Sequence, residues 1–427
     1  MNALGLRAHR EETLDVALLL LLFFQLVLLE FFGLASLLNK VVTVLLLVRM
    51  AIRPGKLQIG ITVLLVARLI LYCISAALSE ELILNNVISN FLIQFYPLVY
   101  AGFLLYLHNN DPRAISVFLD RGFWLFNATL LINFPVLFLQ ILRPYSLVAV
   151  GTARDLAIYE DAISGLFAPY GTHLVCLFTV FVVLYDLGYS KRRLTGARKT
   201  CFWLYIAFIV LVSLFIALNN DNKAMLILLP VALFTYWFAD GGYLSSRKLR
   251  ILLWLAVIAF LLIVFGYGFV PTVRRLMDKY IVKFLKVISS SVSMGNTANG
   301  SGERIAILAY AAKMPSTWLA GTGFGSSFLF QANYHGFRHF GQGDLGSFLI
   351  LGGLWYTILS FAYYFTIARR LMHGHRKKSN LILSVGFFLL LSCIMLYTQA
   401  FTRADFMLGV MLIVLAYRYA NTAQAAI

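Results

Sequence analysis

Long apolar runs separated by short polar segments recur along the whole chain. An α-helix needs roughly 20 apolar residues to cross about 30 Å of hydrocarbon, and most of the runs approach or exceed that length. We therefore predict an all-α integral membrane fold with about twelve transmembrane helices. The predicted spans are 14–30, 32–50, 57–78, 84–106, 123–142, 170–189, 200–218, 223–240, 249–270, 345–368, 380–398 and 403–420.

The beginning of the chain gives the weakest pattern, because Glu30 and Lys40 interrupt the first two runs. The first run starts near Leu14 and has no small-residue cleavage motif after it. We expect it to stay as an anchor and not to be removed as a signal peptide.

Basic residues alternate between the two sides of these predicted spans. The short loops at 79–83, 219–222 and 399–402 contain no Lys or Arg. The intervening loops are basic, with Arg49, Arg53, Lys56, Arg113, Arg121, Lys191, Arg192, Arg193, Arg247, Lys248, Arg376 and Lys377. Since short cytoplasmic loops carry the excess of Lys and Arg, both termini are predicted to be cytoplasmic.

Composition supports this interpretation. The chain is 61% hydrophobic and 12% charged, whereas a soluble domain is nearer half apolar and a quarter charged. The net charge of +17 follows the loops, so we expect no nucleic-acid partner. The four cysteines lie in apolar runs without metal-ligand spacing, and we expect neither a metal site nor a disulfide framework.

Two connections are long, and both are predicted on the outer side. Segment 143–169 lies within the first unit, 1–270, which holds helices one to nine. Segment 271–344 forms a large, partly helical loop before the last three helices in 345–427. Loops of this length are usually functional or disordered. In the larger one, the pattern predicts an amphipathic helix over 272–288, a polar linker over 289–302 and a short helix over 303–313 that Pro315 ends.

Basic residues on the outer side are candidates for an anionic substrate. Arg154, Arg304 and Arg338 lie in the long loops, and Lys223 stands at the outer mouth of a span. The planar guanidinium of Arg suits a diphosphate because it donates two parallel charge-assisted bonds. The alternatives are solvated charges, contacts with lipid head groups, and a snorkelling lysine at position 223.

Candidate general bases lie close together before the tenth span. His335, His339 and Asp344 surround Arg338 in NYHGFRHFGQGDLGSF, residues 333–348. Histidine titrates near neutral pH, and an aspartate can act directly or orient it. Ordinary loop histidines are the alternative. The spacing is not typical of a metal site, and no paired carboxylates favour a glycosidase.

Arg68 lies near the middle of the third span. A charge at membrane depth is a functional hypothesis by default. The alternative is an ion pair with Glu30 that holds the bundle together.

Three outer stretches resemble elements of the O-antigen polymerase and O-antigen ligase superfamily. They are ISGLFAPYGTHL at 163–174, ERIAILAYAAKMPSTWLAGTGFGS at 303–326 and GDLGSFLILGGLW at 343–355. In NNDNKAMLILL, Lys223 stands where the family often has an arginine, and the ligases' His-Asn pair is not clearly present.

The resemblance implies an inverting, metal-independent glycosyl transfer without a cofactor at the periplasmic face of a bacterial inner membrane. The donor would be an oligosaccharide on undecaprenyl diphosphate. Lys223 and Arg304 would hold the diphosphate, with Arg338 and Arg154 as further contacts, and His335, His339 or Asp344 would accept the proton. The large loop would act as a lid and ruler, and a chain-length regulator is an expected protein partner.

Several functions fit this pattern. We expect a polymerase of lipid-linked repeat units first, and a ligase that transfers the glycan to the lipid A core second. A flippase for a lipid-linked oligosaccharide belongs to another class, and would predict charges spread through the spans and two similar halves. A purely structural scaffold gives no reason for the residues of the large loop.

Overall fold

The computed structural model describes residues 3–27, 35–54, 59–143, 163–167, 172–190, 195–220, 225–239, 300–329, 340 and 343–372. It also describes scattered positions between 250 and 278 and between 411 and 419. The residues described form helices and turns, and none of them belongs to a β-strand. The predicted all-α class is therefore confirmed for this part of the chain.

Ten labelled helices carry the architecture. Their bounds are α1 Ala3–Val27, α2 Ala35–Ile52, α3 Ile59–Ala77, α4 Leu84–Asn110, α5 Pro112–Leu142, α6 Thr172–Tyr185, α7 Ala197–Asn219, α8 Met225–Ala239, α9 Gly300–Lys313 and α10 Asp344–Met372. A π-helical turn, Asp186–Ser190, extends α6, and a 3₁₀ turn, Pro315–Trp318, follows α9.

Five of these helices, α3, α4, α5, α7 and α10, are long and apolar enough to cross a membrane. Two of them expose a continuous stripe of large apolar side chains, as a helix does when hydrocarbon covers that face. The stripe contains Ile59, Val63, Val66, Ile70 and Ile74 on α3, and Leu204, Phe208, Leu211, Phe215 and Leu218 on α7. The chain is thus an α-helical protein built for a membrane.

The full number of twelve spans stays a prediction. Helices α2, α6 and α8 lie within a few residues of predicted spans, whereas α1 begins eleven residues before the predicted start at residue 14. The described positions near 250–269 and 411–419 are helical. The predicted span 380–398 lies outside the described residues, as does most of the predicted amphipathic helix 272–288. The sides on which the termini lie are likewise a prediction.

Helix α5 begins eleven residues before the predicted start at residue 123. Its first turn follows Asp111, whose carboxylate accepts a bond from the Ala114 N–H at 3.2 Å, and Pro112 occupies the first helical position. This is a favourable N-cap. The first turns of α5 have an apolar face that contains the buried residues Ile115, Phe118 and Leu119. These turns therefore pack against the bundle, although their sequence is too polar to predict a transmembrane span.

The bundle core surrounds α4, from which Tyr100, Phe103 and Leu104 are fully buried. Helices α1 and α2 are joined to each other by a buried ion pair, in which Arg49 Nε and Nη2 lie 2.7 and 2.8 Å from the two carboxylate oxygens of Asp15. A bidentate pair of this kind fixes the orientation of two helices as well as their separation.

One end of the bundle collects the segments of interest. We call it the α3–α4 end, because α3 ends and α4 begins there, around residues 78–83. Helix α10 starts at the same end, since Arg68 contacts Ser360 whereas Ser75, further along α3, contacts Leu351. Helix α5 ends there as well, because it turns back from α4 at Asp111 and runs antiparallel to it.

Candidate functional site

Helix α10 is interrupted at Gly353, nine residues after its first residue. Gly353 has a φ of 76°, and a Cβ at this position would lie 2.8 Å from the backbone N of Gly321. Only glycine combines that left-handed conformation with such a close approach. The break leaves the carbonyl groups just before it without their usual helical donors.

The segment after α9 satisfies these carbonyls. Thr322 and Gly323 donate their backbone N–H groups to Ile350 O at 2.7 Å and Leu351 O at 3.0 Å. Ser75 on α3 adds a hydroxyl bond to Leu351 O at 2.7 Å. Irregular backbone at membrane depth is tolerated where protein groups replace the missing hydrogen bonds. Here the N–H groups of the loop donate to the free carbonyls of the interrupted helix.

Asn90 on α4 holds the next part of this segment. We name residues 321–329 the docked loop. The Asn90 amide donates to Phe324 O and Ser327 O, both at 2.8 Å, and its oxygen accepts the Leu329 N–H at 2.8 Å. One fully buried side chain therefore satisfies three backbone groups of the loop.

The connection between α3 and α4 holds the centre of the docked loop. Gly325 donates its N–H to Ser79 Oγ at 2.9 Å, and its carbonyl accepts bonds from Ile83 N and Asn86 Nδ2, each at 3.3 Å. A Cβ at Gly323 would lie 2.6 Å from Ser75 O. The GTGFG sequence thus allows the loop backbone to contact α3 directly.

Phe324 anchors the docked loop in the bundle. Its ring stacks on Tyr72 with centroids 4.7 Å apart and meets Tyr356 edge to face at 5.0 Å. Phe324 is fully buried. Burying an aromatic ring adds a large apolar contribution to the polar bonds around it.

Helix α9 packs beside the first turns of α10. A Cβ at Gly346 would lie 2.7 Å from Ile307 Cγ2, and Ile307 is buried. Arg304 precedes Ile307 by one turn of α9, and Asp344 is the first residue of α10. Because the two helices run in the same direction here, the backbones of Arg304 and Asp344 lie at the same end of this pair.

Residues 163–167 of the resembling stretch ISGLFAPYGTHL are also fixed in place. Gly165 has a φ of 66° and donates its N–H to Gln140 Oε1 at 2.7 Å. Leu166 donates to Asn133 Oδ1 at 2.6 Å, and Ile163 and Phe167 are buried. The SGLF sequence is therefore folded against the last turns of α5, at the α3–α4 end.

The structure describes two of the predicted site residues. Asp344 is 1% exposed at the start of α10, and Arg304 lies in α9. The other five, His335, His339, Arg338, Lys223 and Arg154, lie outside the described residues. The roles of all seven residues therefore stay predictions.

Arg68 is buried in the middle of α3 at 2% exposure. Its Nε donates to Ser360 Oγ at 2.8 Å and its Nη2 to Gln94 Oε1 at 3.2 Å. The guanidinium also lies 4.9 Å from the centre of the Tyr356 ring, a cation–π distance. The alternative partner Glu30 lies outside the described residues.

Sequence reasoning missed the amides that hold the docked loop. Asn86, Asn90 and Gln94 recur every four residues along α4 and therefore share one face. Asn86 and Asn90 bind the docked loop, and Gln94 accepts a bond from Arg68 on α3. A stripe of amides in an apolar span was the available signal.

Comparison with known proteins adds no assignment. No protein-family model matches the chain, and no curated protein matches it. Any function for the site must therefore be argued from the residues and their arrangement.

Proposed function

We propose that the protein polymerises lipid-linked oligosaccharide repeat units at the periplasmic face of a bacterial inner membrane. The observation that carries the proposal is the packing of α9, which bears Arg304, beside the first turn of α10, which begins at Asp344. The sequence stretches with the family resemblance meet the bundle at the α3–α4 end, through α5, α3 and α10.

In the proposed reaction, a hydroxyl oxygen of the acceptor sugar attacks the anomeric carbon of the donor glycan. The bond from that carbon to the diphosphate oxygen breaks, and undecaprenyl diphosphate leaves with the electron pair. Arg304 and Lys223, assisted by Arg338 and Arg154, would stabilise the negative charge that grows on the leaving group. Cationic groups suffice for this, so the proposed reaction needs no metal.

The hydroxyl proton passes to a general base. Asp344 is almost fully buried as the first residue of α10. One of His335, His339 and Asp344 would be the base, because imidazole accepts a proton near neutral pH and a carboxylate can accept one directly or orient the imidazole.

The test is the length distribution of surface glycan on a gel, in a strain without the gene that is complemented with wild type or variants. We expect wild type to restore a ladder of many lengths and Arg304→Ala to leave single repeat units on the acceptor. Lys313→Ala changes an exposed cation at the other end of α9 and should keep the ladder. A full ladder with Arg304→Ala would refute the proposed role.

The same experiment separates the alternatives. A strain without the gene that accumulates long chains on the lipid carrier, and none on the core, would identify a ligase. Repeat units trapped on the cytoplasmic side would identify a flippase. One observation favours the flippase. Arg68 is buried in the middle of α3 and packs against α10, a helix that is interrupted at Gly353. Transporters often bind their substrates beside interrupted helices.

A further inference from the structure

Arg68 lies as deep in the bundle as α3 allows. Nine residues separate it from each end of that helix, Ile59 and Ala77. At 1.5 Å per residue it is roughly 14 Å from either end. The guanidinium is thus far from water along the helix axis, and the surrounding helices α4 and α10 cover it.

The contacts of Arg68 bring no negative charge. Ser360 offers a hydroxyl, Gln94 an amide oxygen and Tyr356 the face of its ring. Within the described part of the chain no carboxylate pairs with Arg68. Among the described residues the guanidinium therefore has only neutral contacts in an apolar span, an environment that disfavours a charge.

Gln94 adds a second donor to the site. Its oxygen accepts bonds from both Arg68 and Tyr356. Because a guanidinium can only donate, this orientation of the carboxamide is fixed and the NH₂ group must face away from Arg68. Gln94 is 2% exposed, and among the described residues its Nε2 has no acceptor.

We propose that Arg68 and Gln94 form an intramembrane binding site for a phosphate group. A buried cation is stabilised by a negative charge, and a neighbouring buried N–H donor requires an acceptor, and one phosphate group would supply both. Phosphate offers several acceptor oxygens and matches the geometry of a guanidinium. Arg49, by contrast, has a carboxylate partner within the described residues, since it forms a bidentate pair with Asp15.

The docked loop lies between this site and the α3–α4 end. Phe324 contacts Tyr72 and Tyr356, and Tyr356 contacts the Arg68 guanidinium. A phosphate could arrive as a free anion or on a lipid. The proposal rests on the proposed function only in choosing undecaprenyl phosphate as the lipid-borne probe.

The decisive variant is Gln94→Glu, which places a carboxylate against Arg68. We would measure Tm of the full chain in detergent, with chloride at equal ionic strength as the reference. Inorganic diphosphate or undecaprenyl phosphate should raise Tm of wild type by at least about 3 °C. Gln94→Glu should have a higher Tm than wild type without ligand, and should lose the response to both probes.

The control is Gln140→Glu. Gln140 is equally buried, and its side-chain amide donates to the carbonyl of Gly165 and accepts the N–H of Gly165. A carboxylate there loses the donor to the carbonyl and should lower Tm. Stabilisation by both probes would show a site that free phosphate reaches, and stabilisation by undecaprenyl phosphate alone would show delivery through the lipid.

The proposal is overturned if neither probe stabilises wild type. It is equally overturned if Gln94→Glu lowers Tm as Gln140→Glu does, since Arg68 would then already have its counter-charge within the chain. Arg68→Lys keeps the charge without the planar fork and should weaken the response to the probe. These measurements need no glycan synthesis. The phosphate-site proposal can therefore be refuted while the polymerase proposal stands, and the polymerase proposal can be refuted while the phosphate site stands.

Discussion

Replacing Asn90 with alanine should release the docked loop from the bundle. The side chain is fully buried on α4 and makes three bonds of 2.8 Å, to Phe324 O, Ser327 O and the Leu329 N–H. The loop keeps its bonds to Ser79 and to the interrupted helix. The change therefore weakens one end of the loop without removing its other contacts.

The size of the effect follows from the groups left behind. Each buried backbone group that loses its partner costs about 1–3 kcal/mol. Three such groups make about 3 kcal/mol the lower bound for the destabilisation of the docked state. Since every 1.4 kcal/mol is a factor of ten, amides of the loop should exchange with solvent roughly a hundredfold faster when exchange proceeds by local opening.

Hydrogen–deuterium exchange followed by mass spectrometry tests this expectation on the purified protein. Peptides that cover 324–329 should exchange faster in Asn90→Ala, while peptides from α7 should be unchanged. Asn90→Asp should be at least as damaging, because a carboxylate cannot donate to the two carbonyls and faces them with like charge. Asn110→Ala is the control on the same helix, since among the described residues its amide donates to the Tyr106 carbonyl of α4, at 2.9 Å, and not to the docked loop.

Unchanged exchange of 324–329 in Asn90→Ala would refute the reasoning. So would a uniform increase over α3, α4 and α10, because Asn90 would then stabilise the whole bundle and not the loop.

Three further predictions concern Tm in detergent. Gly353→Ala should lower Tm strongly, because the left-handed φ of 76° costs about 1–2 kcal/mol and the added Cβ would clash with the backbone. Gly60→Ala is the control and should leave Tm unchanged, because nothing lies within 4 Å of its new Cβ. Equal Tm values for the two variants would contradict this prediction. Gly165→Ala should also lower Tm, since its Cβ would lie 2.7 Å from an amide carbon of α5, and an unchanged Tm would exclude the tight fit. Asp15→Leu should cost roughly 3–5 kcal/mol by leaving Arg49 unpaired in a buried site, and adding Arg49→Leu should recover most of the loss; a double variant as unstable as the single one would show that the pair is not desolvated.

Local patterns predicted much of the helical frame. Apolar length located α3, α4, α7 and α10 within a few residues, because hydrocarbon thickness sets the length of a span. The short helix after the polar linker was also predicted and is confirmed as α9. In the GTGFG sequence that follows, Gly321 and Gly323 have the positive φ that glycine adopts readily.

Long-range contacts could not be predicted in this way. The bond from Asn90 to Phe324 joins residues 234 positions apart, and that from Arg68 to Ser360 joins residues 292 apart. Neither partner carries a local signal that names the other. The interruption at Gly353 was hidden for the same reason, since the sequence LGGLW fits a continuous apolar helix and only the contact with the docked loop makes the left-handed glycine necessary.

The docking of residues 321–329 also restricts how the large loop can move. If this part swung away, Ile350 O and Leu351 O would lose the donors Thr322 and Gly323 inside the bundle, and unsatisfied carbonyls at membrane depth cost several kcal/mol each. Helix α10 would have to close its gap at the same time, which a left-handed Gly353 prevents. A lid motion of the kind expected for the large loop must therefore leave the docked loop in place, which makes this loop the fixed base of any such motion and not its moving part.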